Sequence, residues 1–401
     1  MNLVTGNLLW PAVGKPLVTP TPLANDLTCD ALVLGAGITG AFTACLLAAA
    51  DLDVVVIDRR GVAEGSTPAS TALVQYEIDT PLIELAADVG LESAQAAYRA
   101  CRRALDDIVE LTATHHIDCD LHWCGSLFLA TEEKDAEWFI REAAARQALG
   151  IEVEPLSRRE LQDRFDINRP CALHSRAAME IDPFKLTHGL LRAAENFGAR
   201  VYEAKIDTNE LKQEKRHLTT ADGHAIAADH LVIATGYETP EQFARVAKYC
   251  TLKSTYALAS KPLEGTTAWP GKVMLWESGD PYFYARHTVD NRVIIGGEDE
   301  PFSNPEARDA LIDAKIKAML EKFRILRPDV AIEPEYCWAG TFGESADGMP
   351  LIGQLPDYPG CHFALGYGGN GLTFAVLAAQ MIRDAIVGRE NPLSKVFRFD
   401  R

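Results

Sequence analysis

Continuous apolar runs and helical apolar periods alternate along the first part of the chain. Residues 31–34 are all apolar and predict a buried parallel strand. Residues 41–50 are small and mostly apolar and predict a helix, and the run at 53–58 predicts a second strand that ends in Asp58. This order of strand, helix and strand predicts an α/β unit near the start of the chain.

Further elements follow in the middle of the chain. Apolar residues recur with a helical period over 91–115, whereas 121–130 has the pattern of a strand. Two helix starts carry capping signals, because Ser157 with Glu160 matches a capping box and Asp182 precedes a proline at the first helical position. Next come a predicted strand at 199–206, a hairpin turning at Asp222 and Gly223, and a buried strand ending at 236.

The pattern changes to the period of two of antiparallel strands between residues 256 and 297. Segments typical of a dinucleotide-binding sheet therefore occur at the start, middle and end of the chain, with strand-rich segments between them. We predict an α/β fold class (α+β overall) with two interleaved, discontinuous domains. The predicted division is an N-terminal arm at 1–28, a cofactor domain at 29–85, 151–250 and 331–401, and a substrate domain at 86–150 and 251–330.

Composition and charge narrow the function classes. The chain has 401 residues, 39 basic against 57 acidic, and a net charge of −18. Such an acidic chain is repelled by phosphate backbones and anionic lipid, so we expect neither nucleic acid nor membrane partners. No stretch approaches the roughly 18 uninterrupted apolar residues of a membrane span, so we also expect no such span. The nine cysteines form no C-x-x-C pair, which predicts reduced thiols in the cytoplasm and no metal site.

Two glycine-rich turns carry the strongest chemical signal. Gly35, Gly37 and Gly40 follow the first strand with the G-x-G-x-x-G spacing, which lets backbone and helix dipole meet a pyrophosphate. Asp58 ends the next strand, where an acid binds a ribose hydroxyl. A second glycine-rich turn at 366–373 precedes the last predicted helix. Together the two turns indicate a flavin dinucleotide rather than a nicotinamide one.

With these motifs, the sequence resembles the D-amino-acid oxidase-like superfamily of FAD-dependent oxidoreductases, which includes glycine oxidase and sarcosine oxidase. The resemblance covers nearly the whole chain from Asp30. It implies a Rossmann-like FAD-binding domain and a substrate domain built on a mixed, mainly antiparallel sheet. The matching pieces are the first glycine turn with Asp58, 65–72, 180–186, 234–236, 338–353 and 368–373.

The resemblance also implies roles for individual residues. The first glycine turn would hold the pyrophosphate, Asp58 the adenosine ribose, and Ile206 the adenine. The amides of 369–373 would face the pyrimidine edge of the flavin, where charge develops on reduction. The full set of predicted cofactor residues is Gly35, Gly37, Ile38, Thr39, Gly40, Asp58, Arg59, Ser66, Ser70, Thr71, Ala72, Ile206, Ala234, Gly236, Gly340, Gly368, Gly369, Asn370, Gly371, Leu372 and Thr373.

Two departures from the family pattern concern the substrate and the FAD linkage. Phe342 stands where many amino-acid oxidases of this group carry an arginine for the substrate carboxylate, and Glu344 offers a negative group instead. Gly340 stands where the sarcosine-oxidase branch carries a cysteine tethered to FAD, and Cys337 is out of register. The resemblance therefore implies non-covalent FAD and a site suited to an amine cation.

Candidate substrate residues each have a structural alternative. Tyr282, Tyr284 and Arg286 would share one face of a strand, where Arg286 either replaces the missing clamp or points to solvent. Gln75 either touches substrate or packs between the domains. Tyr367 either faces the substrate or is a buried tyrosine bonded to backbone.

The sequence thus predicts an enzyme that oxidises a small amine or amino acid to an imine by hydride transfer to the flavin. Two alternatives stay open. One is a dehydrogenase of the same fold that acts on a hydroxyl group, and the other is a flavin-carrying subunit of a larger redox complex. The partner is a small-molecule substrate, and the electron acceptor is left open.

Overall fold

The computed structural model of the protein describes residues 2–207, 216–240, 243–265 and 267–401. The strands of this part are β1 (Val4–Gly6), β2 (Thr21–Pro22), β3 (Leu27–Leu34), β4 (Val54–Asp58), β5 (Leu73–Gln75), β6 (His122–Trp123), β7 (Ser126–Leu129), β8 (Val153–Ser157), β9 (Cys171–Ser175), β10 (Ala178–Glu180), β11 (Arg200–Glu203), β12 (His217–Thr219), β13 (Ala225–Ile233), β14 (Thr251–Ser260), β15 (Met274–Glu277), β16 (Phe283–His287), β17 (Val293–Glu300), β18 (Pro334–Glu344), β19 (Leu351–Gly353) and β20 (Cys361–Leu365). The α-helices are α1 (Leu9–Val13), α2 (Ile38–Ala48), α3 (Leu82–Val89), α4 (Leu91–Thr114), α5 (Ala136–Gln147), α6 (Arg158–Phe165), α7 (Pro183–Asn196), α8 (Ala244–Ala247), α9 (Pro305–Asp309), α10 (Ile312–Leu326) and α11 (Gly371–Ile386).

An eight-stranded sheet, built from strands of both ends and the middle of the chain, is one of the two large sheets of the molecule. Its order is β19-β20-β13-β3-β4-β11-β2, and β12 pairs with β13 at its side. The strands from β20 to β2 are parallel, as the buried apolar runs predict. Helices α2, α7 and α11 pack together, and their buried residues belong to the same apolar core as Val33 and Val56 on the sheet.

The other large sheet has nine strands and is mainly antiparallel. Its order is β1-β18-β14-β17-β16-β15-β7-β9-β8. Side chains alternate between its two faces, as the pleat requires. Ala339 and Leu258 pack in the core that α10 covers, whereas Trp338 and Ala257 belong to the core that reaches the first sheet. The fold is thus a mixed α/β fold, as predicted from the sequence.

The N-terminal arm is built into both sheets rather than lying on the surface. Strand β1 pairs with β18 of the nine-stranded sheet, and β2 pairs with β11 of the eight-stranded one. Between them, α1 buries Leu9 and Trp10. These two buried apolar side chains explain why the arm is held.

The sheets divide the chain differently from the predicted domain boundaries at two places. Strands β8 and β9, within 151–250, and β18, within 331–401, lie in the nine-stranded sheet. A third sheet of order β5-β10-β6 includes segments from both predicted domains. The two-domain division itself stays a prediction.

Local signals were accurate where backbone chemistry sets the conformation. Ser157 and Glu160 form a capping box at α6, and the Asp182 side chain caps α7. Strands β12 and β13 form the predicted hairpin around Gly223. The strand predicted at 121–130 is instead broken into β6 and β7, in two different sheets. The break is at Gly125, whose φ of +77° favours glycine.

Candidate active site

The first glycine turn joins β3 to α2 with little free space. Gly35 has a φ of +109°, and a Cβ at Gly40 would lie 1.8 Å from the carbonyl oxygen of Gly35. Gly37 is the N-cap of α2 and forms no side-chain cap, and the Ile38 N–H donates instead to Thr67 Oγ1 at 3.1 Å. This geometry suits an anion at the N-terminus of α2, as expected for a pyrophosphate.

Asp58 lies at the end of β4, next to this turn. Its Oδ2 accepts a hydrogen bond from the Ala36 N–H at 2.8 Å, and its Oδ1 accepts one from the Arg60 N–H at 2.9 Å. The carboxylate therefore fixes the glycine turn as well as standing where a ribose would bind. Arg59 is directed instead towards Glu238, with which it forms an ion pair at 2.7 Å.

The loop 66–72 is held by three long side chains that come from distant parts of the chain. Trp338 Nε1 donates to the Ala69 carbonyl at 2.9 Å, and Trp10 Nε1 donates to the Ser70 carbonyl at 2.7 Å. Arg286 Nε donates to the Thr71 carbonyl at 2.6 Å. The loop is thus fixed from outside, and its position follows from the packing of the two large sheets.

The second glycine turn, at 368–371, meets the first one. Thr39 Oγ1 on α2 donates to Tyr367 Oη at 3.4 Å. Behind the turn, Asn370 Nδ2 donates to the Glu77 carbonyl and Thr373 Oγ1 donates to the Gln75 carbonyl. Tyr367 is therefore buried between the two turns, which agrees with the structural alternative for this residue.

The other predicted cofactor residues fall into three groups. Ala234 and Gly236 follow β13 beside Gly35 and Ser66, and a Cβ at Gly236 would lie 3.9 Å from Ser66 Oγ. A Cβ at Gly340 would lie 3.6 Å from Ala69 Cβ, which places this glycine against the loop. Ile206 lies just beyond β11 and forms a bridge with Thr220.

One face of the nine-stranded sheet is directed towards these turns. By alternation from Trp338, this inner face carries Phe342 and Glu344 on β18, and by alternation from Ala257 it carries Lys253 and Thr255 on β14. Lys253 forms an ion pair with Glu344. Glu344, predicted as the negative group for a substrate cation, is therefore partly neutralised by a neighbour.

Tyr282 and Tyr284 lie together on the same face, with ring centroids 5.5 Å apart. Tyr284 lies opposite Gly296 on β17, and a Cβ at Gly296 would be 2.2 Å from Tyr284 Oη. Gly296 thus leaves the space that lets the tyrosine lie across β17. The hydrogen bond from Arg286 Nε to the Thr71 carbonyl links this face to the loop 66–72.

Arg286 shares this face by alternation, but its guanidinium is not presented to a substrate. It is buried, and it donates to the carbonyls of Thr71, Ile181 at 3.0 Å and His287 at 2.9 Å. Glu180 lies 3.7 Å from it. This geometry argues against the predicted carboxylate clamp and also against a solvated strand face, because backbone carbonyls already use its donors.

A β-bulge in β17 brings a further carboxylate to the inner face. Glu298 and Asp299 both lie opposite Thr255, where the register with β14 shifts. Gly297 has a φ of +126° and Glu298 one of +58°. As a result, Glu298 pairs with Lys322 and Lys315 on α10, whereas Asp299 is directed to the other side of the strand, beside Thr255.

Asp79 lies on the opposite side, at the second glycine turn. Its Oδ2 accepts a hydrogen bond from the Gly369 N–H at 2.7 Å. The Asp79 side chain is exposed to solvent at its surface. The protein atoms around it still desolvate the carboxylate, and this raises the pKa of Asp79. The turn lies against the end of β18, because the Gly368 N–H donates to the Gly343 carbonyl at 3.0 Å and Glu344 forms a bridge with Tyr367. The charges of Glu344 and Lys253 therefore act on Asp79.

Comparison with known proteins decides the family. A family model described as FAD dependent oxidoreductase matches residues 30–385. The chain belongs to this family of FAD-dependent oxidoreductases. It is 26% identical over 371 residues to a glycine oxidase of Bacillus licheniformis, which covers 91% of this chain and 94% of that one. It is 25% identical over 378 residues to gamma-glutamylputrescine oxidoreductase of Escherichia coli strain K12, with 91% and 85% covered.

Solved structures show the same fold. Glycine oxidase from Geobacillus kaustophilus superposes with a TM-score of 0.76, at 20% sequence identity, over 94% of this chain and 99% of that one. Two buried polar groups on the loop 66–72 and on β5 lack partners among the described residues. Ser66 Oγ and Gln75 Oε1 are buried without a hydrogen-bond partner in the described structure. Groups of this kind need a partner, and polar atoms of FAD fit that need.

Sequence reasoning missed Asp79, Lys253, Thr255 and Asp299 as residues of the site. Lys253 and Thr255 follow from the alternation of β14 once its buried face is known. For Asp299 the available signal was the pair Gly296 and Gly297 in a strand, since glycines in strands often mark bulges. No sequence pattern marked Asp79 as a site residue, because its position near the inner face depends on how the two large sheets pack together.

Two other features, a membrane-spanning helix and a metal site, are absent from the described part of the chain. No helix in the described part of the chain has both the length and the apolar character needed to cross a membrane. Within the same residues, no three or more His, Cys, Asp or Glu side chains gather in a way that would hold a metal ion.

Proposed function

We propose that this FAD-dependent oxidoreductase oxidises a small amine or amino acid to an imine and that its FAD is not covalently bound. The observation that carries the proposal is the contact between the second glycine turn and the end of β18, where the Gly368 N–H donates to the Gly343 carbonyl. The named relatives support it, since glycine oxidase and gamma-glutamylputrescine oxidoreductase both act on nitrogen compounds by name.

The residues at the turns would hold FAD by its polar groups. The amides at the start of α2 would meet the pyrophosphate, Asp58 a ribose hydroxyl, and the amides at the start of α11 the flavin. Ser66 Oγ and Gln75 Oε1 are available for hydrogen bonds with it. When bound, FAD supplies the hydride acceptor for a C–H bond next to nitrogen.

The inner face of the sheet would position the substrate and exclude water. Tyr282, Tyr284 and Phe342 supply aromatic surface, and Asp79 and Asp299 supply acceptors for an amine N–H. Phe342 also removes the group that would hold a carboxylate at that position. We therefore favour an amine over an amino acid among the two substrate classes.

Anaerobic reduction of the FAD-loaded protein tests the reaction class. We expect amines to bleach the flavin absorbance, and hydroxy acids of matched size to leave it unchanged. Bleaching by hydroxy acids alone would establish the alternative dehydrogenase. Bleaching by no small molecule, together with co-purification of a second redox protein, would establish the alternative of a subunit in a larger complex.

Acid precipitation tests the FAD linkage. Because Gly340 has no side chain to form a tether, we expect the FAD to stay in the supernatant. Yellow colour that remains with the precipitated polypeptide would contradict this, and Cys337 would be the first residue to replace.

We further propose a cytoplasmic location. All nine cysteines are free thiols in the structure, which suits a reducing compartment. Fractionation of cells with antibody detection tests it, and recovery in an oxidising compartment would contradict it.

A further inference from the structure

The inner face of the nine-stranded sheet and the turn opposite it carry more negative than positive charge. Lys253 and Arg286 are the basic groups there, and each has an acidic neighbour: Lys253 is paired with Glu344, and Arg286 lies 3.7 Å from Glu180. Asp79 and Asp299 form no ion pair among the residues that the structure describes. Once Lys253 and Glu344 are set against each other, these two carboxylates are left without a counter-charge.

The strand geometry shows that Asp299 is placed in this space specifically. Without the bulge, alternation from Ile294 and Gly296 would put Glu298 on the inner face. With the bulge, Glu298 is neutralised by two lysines of α10 on the outer side, and Asp299 takes the inner position. Glu298 thus has two lysines as ion-pair partners, whereas the neighbouring Asp299 has none among the described residues.

Two acceptors in this region also lack donors. Asp299 Oδ1 has no hydrogen-bond partner in the described structure, and neither has Glu77 Oε2. Glu77 is 1% exposed and already has partners, since its Oε1 accepts a hydrogen bond from Ser126 Oγ at 2.9 Å and lies 3.7 Å from Arg146, whereas Asp299 has no ion-pair partner among the described residues. Buried acceptors without donors are costly, so a ligand that brings N–H donors and positive charge would be bound favourably.

We propose that the substrate is an amine with a second positive charge, such as a diamine, and that Asp299 together with Asp79 holds the ammonium group that is not oxidised. This inference rests on the proposed function. The faces of Tyr282 and Tyr284 add to it, because aromatic rings attract ammonium ions. Oxidation requires a neutral amine at the reacting carbon, and fixing the other ammonium group at two carboxylates leaves the reacting amine free to lose its proton.

The test compares three compounds of equal chain length in anaerobic flavin reduction: 1,4-diaminobutane, butylamine and 4-aminobutanoate. We expect the diamine to reduce the flavin at concentrations at least ten-fold lower than the monoamine, and the amino acid to be the poorest. Asp299→Asn keeps the shape and removes the charge. It should raise the apparent Kd of the diamine by about ten- to one-hundred-fold, which is the effect of one charged hydrogen bond.

The matched control is Glu300→Gln, since Glu300 is on the same strand and pairs with Lys315 at 2.7 Å. It should leave the preference for the diamine unchanged. A second readout avoids turnover: a bis-quaternary alkane ammonium ion should shift the absorbance of oxidised flavin with a Kd that rises in Asp299→Asn and in Asp79→Asn.

The outcomes separate the two proposals. Equal reduction by monoamine and diamine, or a preference that survives Asp299→Asn, would overturn the inference and leave amine oxidation standing. Failure of every amine to reduce the flavin would overturn the proposed function itself.

Discussion

At the scale of single residues, Asp299 combines a role at the site with a cost to stability. Burial raises the pKa of Asp299 to about 6, a hydrogen bond with Thr255 opposes the rise, and the charge of Asp79 adds to it. The ordinary value is 3.8. The folded protein therefore binds a proton at Asp299 more tightly than the unfolded chain does. The ionised carboxylate lowers the free energy of unfolding, and this loss reaches its full size above about pH 6.

We expect Asp299→Asn to stabilise the protein at pH 7.5 and to lose this advantage as the pH falls from about 6 to about 4. The gain should be roughly 1–3 kcal/mol, or a rise in Tm of about 1–4 °C. Lys253, Glu344, Asp79 and the hydroxyls of Tyr282 and Tyr284 face the same space, so thermal unfolding should be compared with Glu300→Gln at each pH. A variant that is less stable than the wild type at pH 7.5 would contradict the assignment.

At the scale of elements, the bulge in β17 is the feature that turns a regular strand into part of a site. Gly297 has a φ of +126°, and a Cβ there would lie 2.1 Å from the Tyr282 carbonyl oxygen. Gly297→Ala should therefore destabilise the protein by about 1–3 kcal/mol or more and displace Asp299 from Thr255. Unfolding in urea measures the first effect, and the apparent Kd for a diamine measures the second.

Gly388→Ala is the control for this prediction. Gly388 also has a positive φ, +74°, but a Cβ there would meet nothing within 4 Å. Its replacement should cost stability through backbone strain alone and leave the diamine Kd unchanged. If Gly297→Ala behaves like Gly388→Ala in both measurements, the bulge does not set the position of Asp299.

Which elements could be predicted depends on how local their determinants are. Gly35, Gly40 and Asp58 were found from the sequence because a tight turn and a strand end impose residue types at short spacing. The capping box at Ser157 was found for the same reason. The bulge was not, since the register of β17 against β14 and β16 depends on pairing between residues far apart in the chain.

At the scale of the whole molecule, features set by nearby residues could again be predicted, and features set by distant residues could not. The eight-stranded sheet was predictable in outline because each of its parallel strands is a continuous apolar run. The place of the N-terminal arm was not, because β1 pairs with β18, more than 300 residues later. Likewise, alternation predicted that Arg286 shares a face with Tyr282 and Tyr284, but two of its three carbonyl partners, Thr71 and Ile181, come from residues that only the folded chain brings together.

This long-range assembly predicts that the N-terminal arm supports FAD binding without touching the glycine turns. Trp10 Nε1 donates to the Ser70 carbonyl, and the Arg286 guanidinium lies 5.2 Å from the centre of the Trp10 ring. Trp10→Phe keeps an aromatic ring but removes the N–H donor, so the loop 66–72 loses one of its three anchors. A single neutral hydrogen bond contributes about 0.5–1.5 kcal/mol, so the Kd for FAD should rise about two- to ten-fold.

Trp123→Phe is the control for Trp10→Phe, because Trp123 is 45% exposed and lies on β6, away from the loop. Its Kd for FAD, measured by flavin fluorescence during titration of the apoprotein, should stay at the wild-type value. Because ligand binding stabilises the folded state by mass action, Trp10→Phe should also lower the gain in Tm that a fixed FAD concentration gives. An unchanged Kd in Trp10→Phe would mean that Trp338 and Arg286 alone fix the loop, and that the arm stabilises the fold without affecting the cofactor.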